Sequence, residues 1–213
     1  MQLKPKKADL LRRAARLCKA NKLNWRAYVH KAKEIVVFGS STIRARNDAD
    51  LDLLIVGAGK RVKTLDLDIV SKSRGALQQK KWLGSELANH VAHYGIWLKG
   101  KGEWKKDVFV GNAAIDFKRR LIRGRAAGMV LAWSNLREGY RIKHLVKLRR
   151  DIQRMQYLLR KEPVPPSPIL DREWNGFARY ESKKDAFMKF AIESRLLTRR
   201  QFNLVHDYWL GLK

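Results

Sequence analysis

The sequence predicts an α+β fold: a small mixed sheet with flanking helices, followed by a helical C-terminal half. Three observations carry this expectation. Short apolar runs at Ile35–Phe38 and Leu53–Val56 are bounded by turn-forming and polar residues, as strands are. Apolar residues recur at helical spacing before the first run and again from Asn112 onward. The chain has 213 residues, 45% of them hydrophobic, enough to build one large domain or two small ones around a real core.

The elements follow in order. Leu10, Leu11, Ala14, Leu17 and Cys18 predict an amphipathic helix over 7–21 with a basic outer face. Asn24 is placed to cap a second short helix, whose Trp25, Tyr28 and Val29 face the core. The strand Ile35–Phe38 comes next. Gly57-Ala58-Gly59-Lys60 then separates a strand that starts at Leu51 from another over 63–70, and predicts an antiparallel hairpin. Ser85, Leu87, Ala88, Val91 and Ala92 predict a helix that Gly95 ends, ahead of a short strand Ile96–Lys99.

The second half changes character. Ala113, Ala114, Phe117, Leu121 and Ile122 predict the apolar stripe of a helix otherwise crowded with Lys118, Arg119, Arg120, Arg123 and Arg125. A helix over 140–161 repeats the mixture. Ile142, Leu145, Leu148, Ile152, Met155, Leu158 and Leu159 point inward, and Arg141, Lys143, Lys147, Arg149, Arg150 and Arg154 outward. The proline-rich stretch 162–168 reads as a stiff, extended linker. Beyond it, Ser182–Asp185 and Thr198–Gln201 resemble capping boxes and predict helices over 183–196 and 199–210. Phe187, Phe190, Phe202 and Trp209 are expected in their core. The domains are thus expected at 1–107 and 108–213.

Charge narrows the partners. The formal net charge is +27, an excess that destabilises a compact chain by self-repulsion unless a polyanion neutralises it. Nucleic acid is the expected partner, with RNA favoured, and two successive basic helices offer it a phosphate-binding surface. Arg119, Arg120, Arg123, Lys147, Arg149 and Arg150 are the candidate contacts. The lone Cys18 excludes an internal disulfide framework and reads as a small buried hydrophobe. No apolar run approaches the ~20 residues of a membrane span. A soluble cytoplasmic protein without a membrane partner is expected. The histidines form no zinc pattern; His90 and His93 read as structural. No Walker-type loop is present, since Gly57–Lys60 is too short.

The chemistry is concentrated between Ile35 and Val56. The first apolar run ends in Gly39-Ser40, and Asp50-Leu51-Asp52 leads into the second. Residues two apart in a strand share a face, so Asp50 and Asp52 project together. Adjacent carboxylates repel unless a cation lies between them, and magnesium takes one or two carboxylates plus substrate phosphates. Asp66 and Asp68 share a face of the following strand and supply a third acidic element. Carboxylates converging on one rim suit a metal-assisted phosphoryl displacement.

These pieces resemble the nucleotidyltransferase superfamily, the fold of DNA polymerase beta, CCA-adding enzymes and small antibiotic and toxin nucleotidyltransferases. They are strand-Gly39-Ser40, then Asp50-Leu51-Asp52-Leu53, then Asp68-Ile69-Val70, then the helix-Gly-strand at 86–99. The resemblance implies transfer of a nucleoside monophosphate from an NTP, with Mg2+ (or Mn2+) held by Asp50, Asp52 and Asp68. It implies that Asp68, favoured over Asp66 because Ile69-Val70 follows it, completes the site and serves as general base. It also implies that Gly39 and Ser40 hold the triphosphate. The family often continues Gly-Ser with a small residue, Arg and Gly; here Ser41-Thr42-Ile43-Arg44 follows, so Arg44 and Arg46 are the candidates for the phosphates. The basic charge disfavours a polycationic drug as acceptor and favours the end of an RNA such as tRNA. A protein acceptor, as for toxin-like members, is a second reading. A non-catalytic nucleic-acid-binding module on the same scaffold is a third, and a structural basic protein of a ribosome or virion a fourth.

Overall fold

A computed structural model describes residues 5–43, 50–177 and 179–211. The fold is α+β, with a five-stranded mixed sheet, flanking helices and a helical C-terminal half. The chain forms two compact units, 1–111 with 163–168, and 112–162 with 169–213.

In the first unit, helices α1 (Lys7–Ala20) and α2 (Trp25–Lys31) precede strand β1 (Glu34–Phe38). Strands β2 (Leu51–Val56), β3 (Val62–Lys63) and β4 (Leu67–Lys72) follow. Short helices α3 (Arg74–Leu77) and α4 (Lys80–Leu83) lead to α5 (Glu86–Tyr94) and strand β5 (Ile96–Lys99). Side-chain caps start the helices: the backbone N–H of Ala27 donates to Asn24, as expected, and that of Ala88 to Ser85.

The sheet order is β3-β4-β2-β1-β5. Both faces are covered. Ile35, Val37, Leu53, Ile55 and Ile69 pack with Leu10, Ala14 and Cys18 of α1, while Val36, Phe38, Leu54 and Val56 pack with Trp82, Ala88, Val91 and Trp104. A strand buried on both faces needs no polar alternation, which is why Leu53–Val56 is continuously apolar. Burial also pushes the Cys18 thiol up to about 11, so it is inert at neutral pH.

The expected hairpin between β2 and the next acidic strand does not form. β2 and β4 are parallel neighbours. The chain leaves β2 at Gly57, crosses the end of β4, adds β3 on its far side and turns back through Thr64–Asp66. The antiparallel hairpin is therefore β3–β4, closed by the Leu67 N–H donating to Thr64 Oγ1 at 3.2 Å. The loop after β2 is fixed to β4: the Gly57 N–H donates to the Lys72 carbonyl at 2.8 Å, and Ser71 Oγ donates to the carbonyls of Ala58 and Gly59.

The second unit contains α6 (Asn112–Ala132), α7 (Glu138–Leu159), α8 (Ser167–Phe177), α9 (Glu181–Glu193) and α10 (Arg199–Gly211). The capping box at Thr198 forms reciprocally with Gln201. That at Ser182 does not, since α9 begins one residue earlier with no side-chain cap. α8 was hidden by its prolines: Pro168 stands in the first turn, where a missing N–H costs nothing. The preceding segment is packed rather than free, with Val164 1% exposed.

The apolar stripe of α6 is also corrected. Its buried face carries Ile115, Ile122, Ala126 and Met129, and Phe117 is turned outward. On α7, Ile142 and Leu159 are exposed and Arg149 is buried. The aromatic residues of the C-terminal helices form a core, as expected: Trp174, Phe187 and Trp209 are buried, their rings packed edge to face.

Candidate active site

Parallel pairing of β2 with β4 decides which carboxylates meet. Its register sets Leu51 beside Leu67 and Asp52 beside Asp68. The leucines face α1, so the two aspartates share the opposite face of the sheet. Phe38, the last residue of β1, pairs with Asp52 on its other side. Asp50 is exposed just ahead of β2, close enough for its charge to act on Asp52.

This crowding has an electrostatic signature. The Asp52 carboxyl is pushed up to about 7, first by burial, then by the charges of Asp50 and Asp68, with Lys63 working against the rise. Lys63 lies opposite Asp68 in the β3–β4 ladder, with its Nζ 3.7 Å from Asp68 Oδ2. Asp68 Oδ1 is buried without a hydrogen-bond partner. Asp66, the rival third acid, is committed elsewhere. It accepts from Asn21 at 3.2 Å and from Thr64 at 2.8 Å, and these bonds hold its carboxyl below its ordinary value.

The turn after β1 completes the site. Gly39 has φ of 74°, and a Cβ there would overlap Asp52 Oδ2, so both backbone and space require glycine. Its N–H donates to His90 Nε2 at 3.2 Å, while the opposite ring nitrogen bonds the Val164 carbonyl at 2.8 Å. His90 thus links the turn to the proline-rich segment with Nδ1 as the protonated nitrogen. Thr42 Oγ1 closes the turn on the Gly39 carbonyl. Buried Ser41 donates to the Asp50 carbonyl at 2.9 Å and accepts from Arg13 of α1. Ser40 is half-buried beside Gly39.

Of the residues expected at the site, Gly39, Ser40, Asp50, Asp52 and Asp68 are brought together. Arg44 and Arg46 lie outside the described residues. Sequence reasoning missed Lys63, His90 and Arg13. Only Arg13 left a local signal: it stands three residues after Leu10 and four before Leu17, on the apolar stripe of α1. Among the described residues, no three His, Cys, Asp or Glu side chains are gathered at metal-ligand spacing. What the site offers is a facing pair, Asp52 and Asp68, with one unsatisfied buried oxygen and a third acid alongside. That donor set fits one hard divalent cation completed by substrate phosphates.

Of the cations expected on α6 and α7, Arg120, Arg123 and Lys147 are exposed. Arg119 pairs with Asp116 at the surface, and Arg123 Nε donates to the Arg195 carbonyl. Arg149 is withdrawn from any surface role: it is buried over Trp174 and shares Asp171 with Arg150.

Two outcomes are expected here. In the metal-free protein the raised Asp52 carboxyl makes the folded state bind more protons than the unfolded one between 3.8 and about 7. Stability from this group is full below that window, falls as pH rises through it and levels off above it. Thermal midpoints taken in chelator across the window should fall less steeply in Asp52→Asn; parallel curves would refute the raised carboxyl. Gly39→Ala is expected to lower stability by ~1–3 kcal/mol, the cost of a strained left-handed residue, and to displace Asp52. Urea titration measures the first effect, and loss of magnesium-dependent thermal stabilisation the second.

The sequence matches no known family model and no curated protein.

Proposed function

We propose that the chain is a nucleotidyltransferase that moves a nucleoside monophosphate from an NTP to a hydroxyl at the end of an RNA, such as tRNA, releasing pyrophosphate. The observation that carries this reading is the register pairing of Asp52 with Asp68 over the Gly39 turn, with Asp68 Oδ1 left unsatisfied. Asp52 and Asp68, with Asp50 beside them, would hold Mg2+ (or Mn2+) together with substrate phosphates. When bound, the cation neutralises phosphoryl oxygens and lowers the pKa of an attacking hydroxyl.

The protein's own groups supply the rest. Gly39 and Ser40 shape a turn without a side chain at its first position, so a triphosphate can approach the backbone beside Asp52. Lys63 places a cation next to the carboxylate pair and balances charge at the phosphates. The acceptor oxygen forms a bond to the α-phosphorus, the bridge to the β-phosphate breaks, and pyrophosphate leaves with the electron pair. Asp68 Oδ1 takes the acceptor proton. The exposed Arg120, Arg123 and Lys147 of the second unit supply phosphate contacts to the RNA. No helix among the described residues is long and apolar enough to cross a membrane.

The test is incubation of the protein with each labelled NTP, magnesium or manganese, and total RNA. Label in one RNA class is the expected result. Label on a polypeptide would move the acceptor to protein. No label with any NTP, and no magnesium-dependent NTP binding, would overturn catalysis and leave a nucleic-acid-binding module.

A further inference from the structure

Helix α6 carries two apolar faces. Ile115, Ile122, Ala126 and Met129 fill the buried one. On the opposite side, at helical spacing, stand Phe117, Leu121, Gly124, Gly128 and Leu131, with no charged residue among them. Phe117 is 59% exposed and Leu131 84% exposed. Such a stripe is out of place on a helix whose other outward positions are largely arginine.

Part of the face is concave. A cavity of about 540 Å³ opens over Gly124 and Gly128, walled by Leu121, Met129, Ala132 and Leu136. A Cβ at either glycine would meet nothing within 4 Å, so no internal packing calls for glycine there. Glycine in a helix interior is less favourable than alanine. What the two glycines provide is bare backbone at the cavity floor, which lets another chain approach closely.

The polar groups lining the cavity are Arg120, Arg125 and His144. Arg125 is engaged by Asp151, while Arg120 is exposed. The occupant must therefore tolerate cations, in a chain of net charge +27. A second copy would bring like charge against like. A nucleotide fits poorly, because no aromatic ring lines the cavity for a base to stack on. Aliphatic walls and a glycine floor suit the apolar edge of a helix, inserted at i, i+4 and i+7 spacing.

We propose that this outer face of α6 docks an acidic amphipathic helix of a partner protein, its apolar side chains entering the cavity and its carboxylates meeting the arginines. The site stands apart from the transfer chemistry of the first unit, and its test does not depend on that reading.

The experiment is fluorescence anisotropy on the whole chain with three labelled probes. The first is a Glu-rich helical peptide of about 20 residues with leucines at i, i+4, i+7 and i+11. The second is a scrambled peptide of the same composition, and the third a single-stranded RNA oligonucleotide. The amphipathic peptide is expected to bind about tenfold or more tighter than the scrambled one. Gly124→Leu, which fills the cavity without meeting a neighbour, and Phe117→Ser, at an exposed position, should each weaken it about tenfold and leave oligonucleotide binding unchanged. Circular dichroism confirms that both variants fold. Equal affinity for the two peptides would overturn the proposal. So would an oligonucleotide that displaces the peptide and loses affinity in both variants, since the face would then belong to nucleic acid.

Discussion

Asp52→Asn is expected to abolish nucleotidyl transfer, by ~10³-fold or more, while making the metal-free protein more stable at pH 8. The two effects have one cause. Burial and the charges of Asp50 and Asp68 push the Asp52 carboxyl up to about 7, so its ionised form is held in the fold at a cost. A neutral amide of the same shape removes that cost. It also removes one of the two facing carboxylates that would hold the cation and phosphates, where a single preorganised charge contributes ~10²–10³ in rate. Transfer assays and thermal melts on the same preparation separate the outcomes. Lost activity with a raised midpoint supports the proposed site. Lost activity with a lowered midpoint would mark Asp52 as structural, and retained activity would remove it from the chemistry. Asp66→Asn is the matched control, since that carboxylate accepts from Asn21 and Thr64 and should leave transfer unchanged.

Asp151→Ala is expected to give the largest loss of stability in the second unit, ~3–5 kcal/mol. Asp151 is 3% exposed on α7 and gathers three cations. Lys118 of α6 lies 3.2 Å from Oδ1, Arg154 lies 3.6 Å from it, and Arg125 bonds Oδ2. Lys118 is itself 4% exposed, so deleting the carboxylate leaves an ammonium in the interior without the charge it was buried against. Guanidinium denaturation measures the loss. The double variant Asp151→Leu with Lys118→Met should recover much of it, because well-packed apolar residues can replace a buried pair at little or no cost. Failure to recover would show that Arg125 and Arg154, rather than Lys118, depend on the carboxylate.

Much of the fold was legible because its signals are local. The apolar run Ile35–Phe38, the caps at Asn24 and Ser85, and the reciprocal box at Thr198 each act within a few residues, and each forms. The errors share a different cause. α6 has apolar residues on two faces, so periodicity alone could not say which one is buried, and Phe117 was turned the wrong way. Arg149 sits on a helix rich in outward arginines, and only the approach of α8, with Asp171 and Trp174, makes it an interior residue. Pro168 concealed α8 because the same ring that breaks a helix interior is tolerated in its first turn.

The acidic site divides the same way. The sequence by itself determined that Asp50 and Asp52 stand at the start of a buried strand, that a glycine turn precedes them and that Asp66 and Asp68 follow nearby. It also determined the charge of +27 that asks for an anionic partner. Strand direction was decided by tertiary structure alone. Gly57–Lys60 can open either a tight hairpin or a longer path, and the choice depends on whether β2 gains more from β3 or from β4. Placing β4 against β2 buries Leu67 and Ile69 with Leu51, Leu53 and Ile55 under α1, and puts the two-residue β3 at the sheet edge. That burial is a sum over residues distant in sequence, which no local pattern records. The parallel register it imposes sets Asp68 beside Asp52, brings Lys63 across from Asp68 and leaves Asp66 to the turn.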